Sequence, residues 1–410
     1  FQFLPEIRNT GFYNWSFTRF PWFAKAPEYQ WASTWSWLKG THVVKAGVQV
    51  IVNKKNEWDN NNSKGVFDFG VNTASPFDTG YNQANMLTGA INQFLQTGNA
   101  AVKYSMYQDV HFFLQDTWKI MPKLTLDYGV RFYHVPGERD TRPDITKDAA
   151  FNAGLWDPKK APRFYIPDPT NTKQLIDPAN PGSPLPASVF NALLYSIVPG
   201  SGDVMNGVVA LNGKSGLGDP GFFLLGPRGG FAWQALNKTV VRGGFGISYG
   251  RPSITQAINI FENGLAEQID YRMTSFTTLK TSTVRRISPR DFGASDPSTK
   301  QPPRVYDISL SVQRDLPGGW LVDVGYVGNL QQHQYIQFNL NAIPPGVSHL
   351  AQFVDSRIAG NNFAGTVTAS NPGPLPGTRN VDSNLMRPYL GMGALNKKGY
   401  WTLIIMILKK

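Results

Sequence analysis

The 410 residues include no cysteine, which removes disulfide bridges, thiolate metal sites and cysteine nucleophiles together. A chain that crosses an oxidising compartment is also spared stray bridges. Charge is scarce: Asp, Glu, Lys and Arg make up 16% of the residues, against about 25% in an ordinary soluble domain, so part of the surface is expected not to face water. No apolar run reaches the ~20 residues of a membrane-crossing helix. The longest near an end, LIIMIL at 403–408, is far shorter. Any membrane span must therefore be made of strands.

The motifs of catalysis and nucleotide binding are missing as well. RGGFGISYG at 242–250 has the glycines of a phosphate loop but meets neither G-x-G-x-x-G nor G-x-x-x-x-G-K; glycine here relieves crowding or bends a strand. There is no G-x-S-x-G and no carboxylate pair in an acid/base setting. The five histidines, His42, His111, His134, His333 and His349, never recur at i, i+4 or beside a carboxylate at ligand spacing. Each reads most simply as a lumen, rim or loop residue. Asp59, Asn61 and Ser63 have calcium-loop spacing, but Lys64 stands where Gly is wanted and Gly70 where the bidentate Glu belongs. The chain reads as non-enzymatic, with no catalytic, cofactor or metal residues and no nameable substrate-binding residue.

The net charge is +11. Lys and Arg are scattered singly among Asp and aromatic residues, which does not suit nucleic acid. Attraction to anionic outer-leaflet lipid accounts for the charge, as does sampling only part of a larger protein. No signal peptide is visible, and the chain opens FQFLPEIRN without an initiator Met. It is expected to begin mid-protein.

What is abundant is aromatic side chain and turn former: 13% Phe, Trp and Tyr, with 40 Gly and 30 Pro. LTLDYGVRFYHV at 124–135 alternates Leu124, Leu126, Tyr128, Val130 and Phe132 with Thr125, Asp127, Gly129 and Arg131. A soluble protein turns such an apolar face to a core; an outer-membrane barrel turns it to lipid and keeps the polar face for a wet lumen. The same alternation sets Val44, Ala46, Val48, Val50 and Val52 against Lys45, Gly47 and Gln49, with Ile51 as an exception. Val110, Phe112, Leu114, Trp118 and Ile120 oppose His111, Gln115, Thr117 and Lys119, and Val241, Phe245, Ile247 and Tyr249 oppose Arg242, Gly244, Gly246 and Ser248. Stretches of about ten to thirteen residues exceed the roughly 5 to 6 of a soluble strand and suit the about 9 to 11 of a membrane-spanning one.

Connections sharpen the choice. Strands pair through short turns at 38–42, 121–124, 235–239 and 316–320. Between the hairpins lie long irregular stretches, 59–103, 136–227, 251–303 and 340–396, of a kind that compact soluble domains seldom carry. Tight turns on one side and long loops on the other are the layout of outer-membrane barrels, periplasmic turns against extracellular loops. The spanning strands are placed at 11–22, 27–38, 41–53, 107–120, 124–135, 229–236, 239–250, 304–315 and 319–330, with a weaker one at 333–340 and another candidate at 265–280. These make an all-β chain, part of a large antiparallel transmembrane barrel, over residues 1–396.

Trp31, Trp35 and Trp37 share one strand face that ends at a turn, as an aromatic girdle would; a sugar-stacking platform is the alternative. Asp127 with Arg131, and Arg242 with Ser248, are expected to line the lumen, where they contact a plug domain, line a substrate path or are simply hydrated.

Three stretches, QDTWKIMPKLTLDYGVRF at 115–132, GPRGGFAWQALNKTVVRGGFGISYGR at 226–251 and YDISLSVQRDLPGGWLVDVGYVGN at 306–329, together with GTHVVKAGV at 40–48, resemble the β-barrel of TonB-dependent outer-membrane receptors. Within that family they are most similar to the Oar-like group, which carries a carboxypeptidase-regulatory-like domain before the plug. The resemblance implies a barrel in the cell outer membrane, in contact with its lipid and closed by a plug, that imports a scarce nutrient with energy passed through TonB. Neither plug nor TonB-contacting segment is recognisable, so energy coupling maps onto no residue here.

Residues 397–410, ending KKGYWTLIIMILKK, lack the period-2 pattern and look like a frameshifted or truncated tail. The chain is accordingly expected not to close a normal barrel. A passive porin or structural surface barrel is the first alternative function. A secreted carbohydrate-binding β-sandwich is the second.

Overall fold

The computed structural model describes residues 5–9, 14–15, 23–59, 64–97, 101–141, 149–171, 173–211, 223–251, 268–294, 302–347, 382–401 and 405–409. Its backbone is a meander of eight long strands: β1 (Glu28–Lys39), β2 (His42–Asp59), β3 (Ala101–Met121), β4 (Leu124–His134), β5 (Leu224–Leu236), β6 (Thr239–Tyr249), β7 (Arg304–Leu316) and β8 (Trp320–Gln332). Each pairs antiparallel with the next in sequence. All four tight turns fall at one end of the sheet. The last of them places Gly318 and Gly319 at φ +87° and +82°, a conformation in which a Cβ would crowd the backbone.

Register fixes the two faces, because directly opposed residues share a side. One rung on the apolar face runs Trp35–Ala46–Leu114–Val130, and another runs Phe245–Ile308–Gly328. The polar face carries Thr34–Gly47–Phe113–Arg131 and Gly246–Asp307–Asn329. Among the described residues nothing covers the apolar face: Trp31, Trp35 and Trp37 are 59%, 61% and 59% exposed, and Trp320 is 73% exposed.

The fully buried apolar side chains lie in the long connections instead: Phe69, Ile91, Phe151, Leu175, Phe292, Met392 and Leu395. These connections, expected to be irregular, fold into three small sheets. Glu6–Arg8, Val66–Asp68, Ala90–Thr97 and Gln268–Ser275 form one, over a core of Phe69, Ile91 and Phe94. Val208–Ala210, Ala149–Phe151, Arg290–Ala294, Met392–Trp401 and Gln334–Asn339 form another, packed on Phe151, Phe292, Met392 and Leu395. Ile166–Pro167, Leu175–Asp177 and Asn180–Leu185 form the third. Burying one such side chain contributes about 1.5–3 kcal/mol, enough in sum to help order strands that are each too short to be stable alone.

This corrects two strand assignments. The segments expected at 333–340 and 265–280 are indeed strands, but they belong to the loop sheets rather than to the meander. His333, at φ +53°, turns the chain out of β8 and into the new sheet. The expected strand 11–22 lies almost wholly outside the described residues. β2 and β3 run longer than expected, pairing as far as Asp59 with Ala101. At the tail, Asn396 lies within a strand and pairs with Asn339, and Ile405–Lys409 pairs with β8.

Buried asparagines join the loop segments. Asn341, fully buried, shares its amide hydrogens among the carbonyls of Tyr389, Met392 and Gly393 at 3.1, 2.9 and 2.9 Å, and its Oδ1 accepts from the Tyr389 N–H at 2.7 Å. Asn206 reads Asp157 in the same way, accepting from its N–H at 3.0 Å and donating to its carbonyl at 2.7 Å.

Candidate functional site

The polar face of the meander is the surface on which side-chain chemistry concentrates. Near the tight turns, the Thr117 hydroxyl donates to Asp127 and Arg242 donates to Gln313 at 2.5 Å; toward the loop end, Asn329 donates to Asp307 at 2.8 Å. Each joins neighbouring strands at paired or adjacent rungs, as cross-strand geometry allows. The sequence expects Asp127 and Arg131 along one polar strand face, and the register places both there. They point to the same face, but Asp127 is bonded to Thr117 while Arg131 lies over two aromatic rings.

That ring contact builds a recess. The Arg131 guanidinium sits 5.5 Å from the Phe113 ring centre and 5.7 Å from that of Tyr133. Arg228, from the next strand, donates to the Tyr133 hydroxyl at 3.3 Å. Phe113, Gln115, Gly129, Arg131 and Arg228 line a volume of about 140 Å³. Its floor depends on glycine: a Cβ at Gly129 would lie 2.6 Å from the Leu114 carbonyl oxygen, against the backbone of the neighbouring strand. Gly47 lies under the Phe113 ring, which occupies the space a side chain there would fill. Above the recess is His111, buried, with its ring 4.9 Å from that of Tyr133 and neither nitrogen hydrogen-bonded.

At the loop end of the same face, Arg251 closes a second cluster. Its Nε donates to Asp109 at 3.2 Å, one terminal nitrogen donates to the same carboxylate, and that nitrogen also reaches the Pro136 carbonyl at 3.0 Å. The guanidinium plane stands 3.7 Å from the centre of the Tyr107 ring. Both charged groups are mostly buried, which makes mutual pairing a requirement rather than an ornament.

The apolar face has its own polar spot. The His42 ring meets the Asp116 carboxylate at 2.7 Å and stacks on Trp118, while the Tyr128 hydroxyl donates to Asp116 at 2.8 Å. The five histidines thus scatter: His42 and His134 fall on the apolar face, His111 on the polar face, His333 at the loop end, and His349 outside the described residues. Among the described residues no three His, Asp or Glu side chains could hold a metal ion. Of the calcium-like spacing, Asn61 and Ser63 lie outside the described residues.

The sequence profile of the outer membrane β-barrel domain matches residues 1–399. The chain belongs to that family. The outer-membrane β-barrel's apolar face therefore meets lipid, its polar face is the lumen, and its tight turns are periplasmic. The protein resides in the cell outer membrane. Trp31, Trp35 and Trp37 share the lipid-facing side of β1, the side on which an aromatic girdle stands.

No curated protein matches the sequence. Similar solved structures include the copper transporter OprC, with 10% identity over 77% of this chain and 32% of that one and a TM-score of 0.34. A mutant of the ferric enterobactin receptor PfeA from Pseudomonas aeruginosa has 8% identity, covering 94% of this chain and 32% of that one, with a TM-score of 0.39. The outer membrane transporter YddB from Escherichia coli has 8% identity, covering 77% and 27%, with a TM-score of 0.38. The barrel chain spans about a third of the length of these relatives or less.

Proposed function

We propose that this chain is part of the barrel of a TonB-dependent outer-membrane receptor. Its loops capture a scarce nutrient at the cell surface, and the lumen passes it inward when a plug is displaced. The observation that carries this reading is the folded loop layer. Phe151, Phe292, Met392 and Leu395, drawn from three different connections, pack into one core, and Asn341 ties the two ends of the last of these connections together. A receptor gains affinity when its binding surface is ordered before the ligand arrives, whereas a passive pore gains nothing from building such a layer. The motif stretches at 115–132, 226–251 and 306–329 support the same reading by resemblance.

The test compares uptake with conductance, using the full-length protein that contains this chain. The expected result is growth on a limiting nutrient that is lost in a host without TonB, together with no steady current across planar bilayers. Steady TonB-independent conductance would instead establish the passive barrel.

A further inference from the structure

The lumen wall holds a concentration of positive charge that no carboxylate among the described residues neutralises. Arg131 and Arg228 stand on adjacent strands at diagonal rungs, since Arg131 opposes Gly226 and Arg228 opposes Gly129. Diagonal positions on a sheet lie within reach of long side chains. Among the described residues no carboxylate forms an ion pair with either guanidinium. Asp127, the nearest acid along β4 on this face, is already bonded to Thr117.

The cations are also held in place. Arg131 contacts the Phe113 and Tyr133 rings, an arrangement that occupies the guanidinium face and leaves its N–H edge free to donate. The Tyr133 hydroxyl, accepting from Arg228, keeps its own proton to give. Gln115 adds an amide to the same recess. Immediately above, His111 is buried with both ring nitrogens unbonded, although buried polar atoms are nearly always partnered. Gly129 keeps the space open, because any side chain there would strike the neighbouring backbone.

We infer that this recess is a station for an oxyanion, a carboxylate or phosphate group, carried by the solute that crosses the lumen. Planar guanidinium forks match the paired oxygens of such groups, and two unpaired cations repel a metal ion. A sugar ring is disfavoured as well, since Arg131 already lies against the Phe113 ring on which it would stack. The inference holds for a receptor and for a passive pore alike, because it needs only a lumen-facing wall.

Arginine-specific labelling tests it on the unmodified full-length protein in detergent. Phenylglyoxal is expected to modify Arg131 and Arg228, and inorganic phosphate at about ten times its dissociation constant to slow that reaction by about tenfold, since only the unoccupied fraction reacts. Chloride at equal ionic strength is expected to leave the rate unchanged. Equal protection by chloride overturns the site. So does an absence of reaction in either salt, which would mean that another segment of the protein already covers the guanidinium groups.

Phosphate binding to variants gives the second arm. R131Q with R228Q is expected to weaken it about tenfold or more, and R242Q to leave it within about twofold. Where the double glutamine variant does not fold, R131K with R228K keeps the charge and loses the fork, and is expected to weaken binding too. Unchanged binding in whichever pair folds refutes the inference.

Discussion

Arg251 and Asp109 are 142 positions apart in sequence and share a bidentate ion pair at the mouth of the lumen. Asp109 belongs to β3 and Arg251 follows β6, with β4 and β5 lying between them. Arg251 also bonds the Pro136 carbonyl just beyond β4, so one side chain joins the loop ends of three strands. Strand pairing joins β3 and β4 up to Val110 and His134, but beyond that rung each of the three ends enters a different long connection, and Arg251 bridges them.

The pair should therefore show strong coupling. Replacing either partner leaves the other charge buried at 11–15% side-chain exposure, and Arg251→Ala further uncovers the Tyr107 ring. In a double-mutant cycle with Asp109→Asn and Arg251→Ala, we expect an interaction energy of about 0.5–3 kcal/mol, read from urea unfolding in lipid vesicles. Additive single effects would show that the clip contributes no coupling.

The assignment of the two faces predicts an asymmetry between adjacent residues. Leu310 faces lipid and Ser309 faces the lumen, one position apart on β7. Leu310→Arg is expected to cost about 2–4 kcal/mol in bilayer-reconstituted folding, and Ser309→Arg far less. Equal costs would mean that the sheet does not separate lipid from water in this register.

The long strands were legible because lipid on one side and water on the other impose a strict period of two over ten or more residues. Where that asymmetry ends, legibility ends too. The upper parts of β2 and β3 went unread because Lys54, Lys55, Asn56 and Glu57 show no apolar alternation, although they pair with β3 at Met106, Ser105, Tyr104 and Lys103. The loop core was hidden for a different reason. Phe151 and Phe292 each sit in a strand too short to show a period, Met392 opens a strand with no apolar alternation, and the three meet only through tertiary packing. The recess depends on register: nothing local in GPRGG indicates that Arg228 opposes Gly129.

Asn341 should be the most sensitive polar position of the loop layer. Asn341→Ala deletes a donor to three carbonyls and an acceptor for the Tyr389 N–H, leaving buried backbone groups unpaired at about 1–3 kcal/mol each. We expect the connections around residues 340–396 to become protease-sensitive while the heat-modifiable migration of the barrel is retained. Resistance equal to the parent protein would show that the apolar core suffices alone.

Acid should loosen one loop contact with a definite sign. The Arg163 guanidinium forks onto both oxygens of Asp177 at 2.8 Å. That hydrogen bonding, helped by the Ala179 N–H and opposed by burial, holds the Asp177 carboxyl below the usual carboxylate range. The unfolded segment binds its proton at about pH 4, so the contribution is complete above that value and is lost as pH falls through the depressed folded value. Arg163 is 41% exposed, and solvent screening keeps the contribution small. Hydrogen exchange over Leu175–Leu185 should therefore accelerate modestly between about pH 4 and lower values. Asp177→Asn should remove that dependence and exchange at a faster, flat level. If parent and variant lose protection in parallel, the acid response comes from other groups and the fork onto Asp177 is not what holds the hairpin.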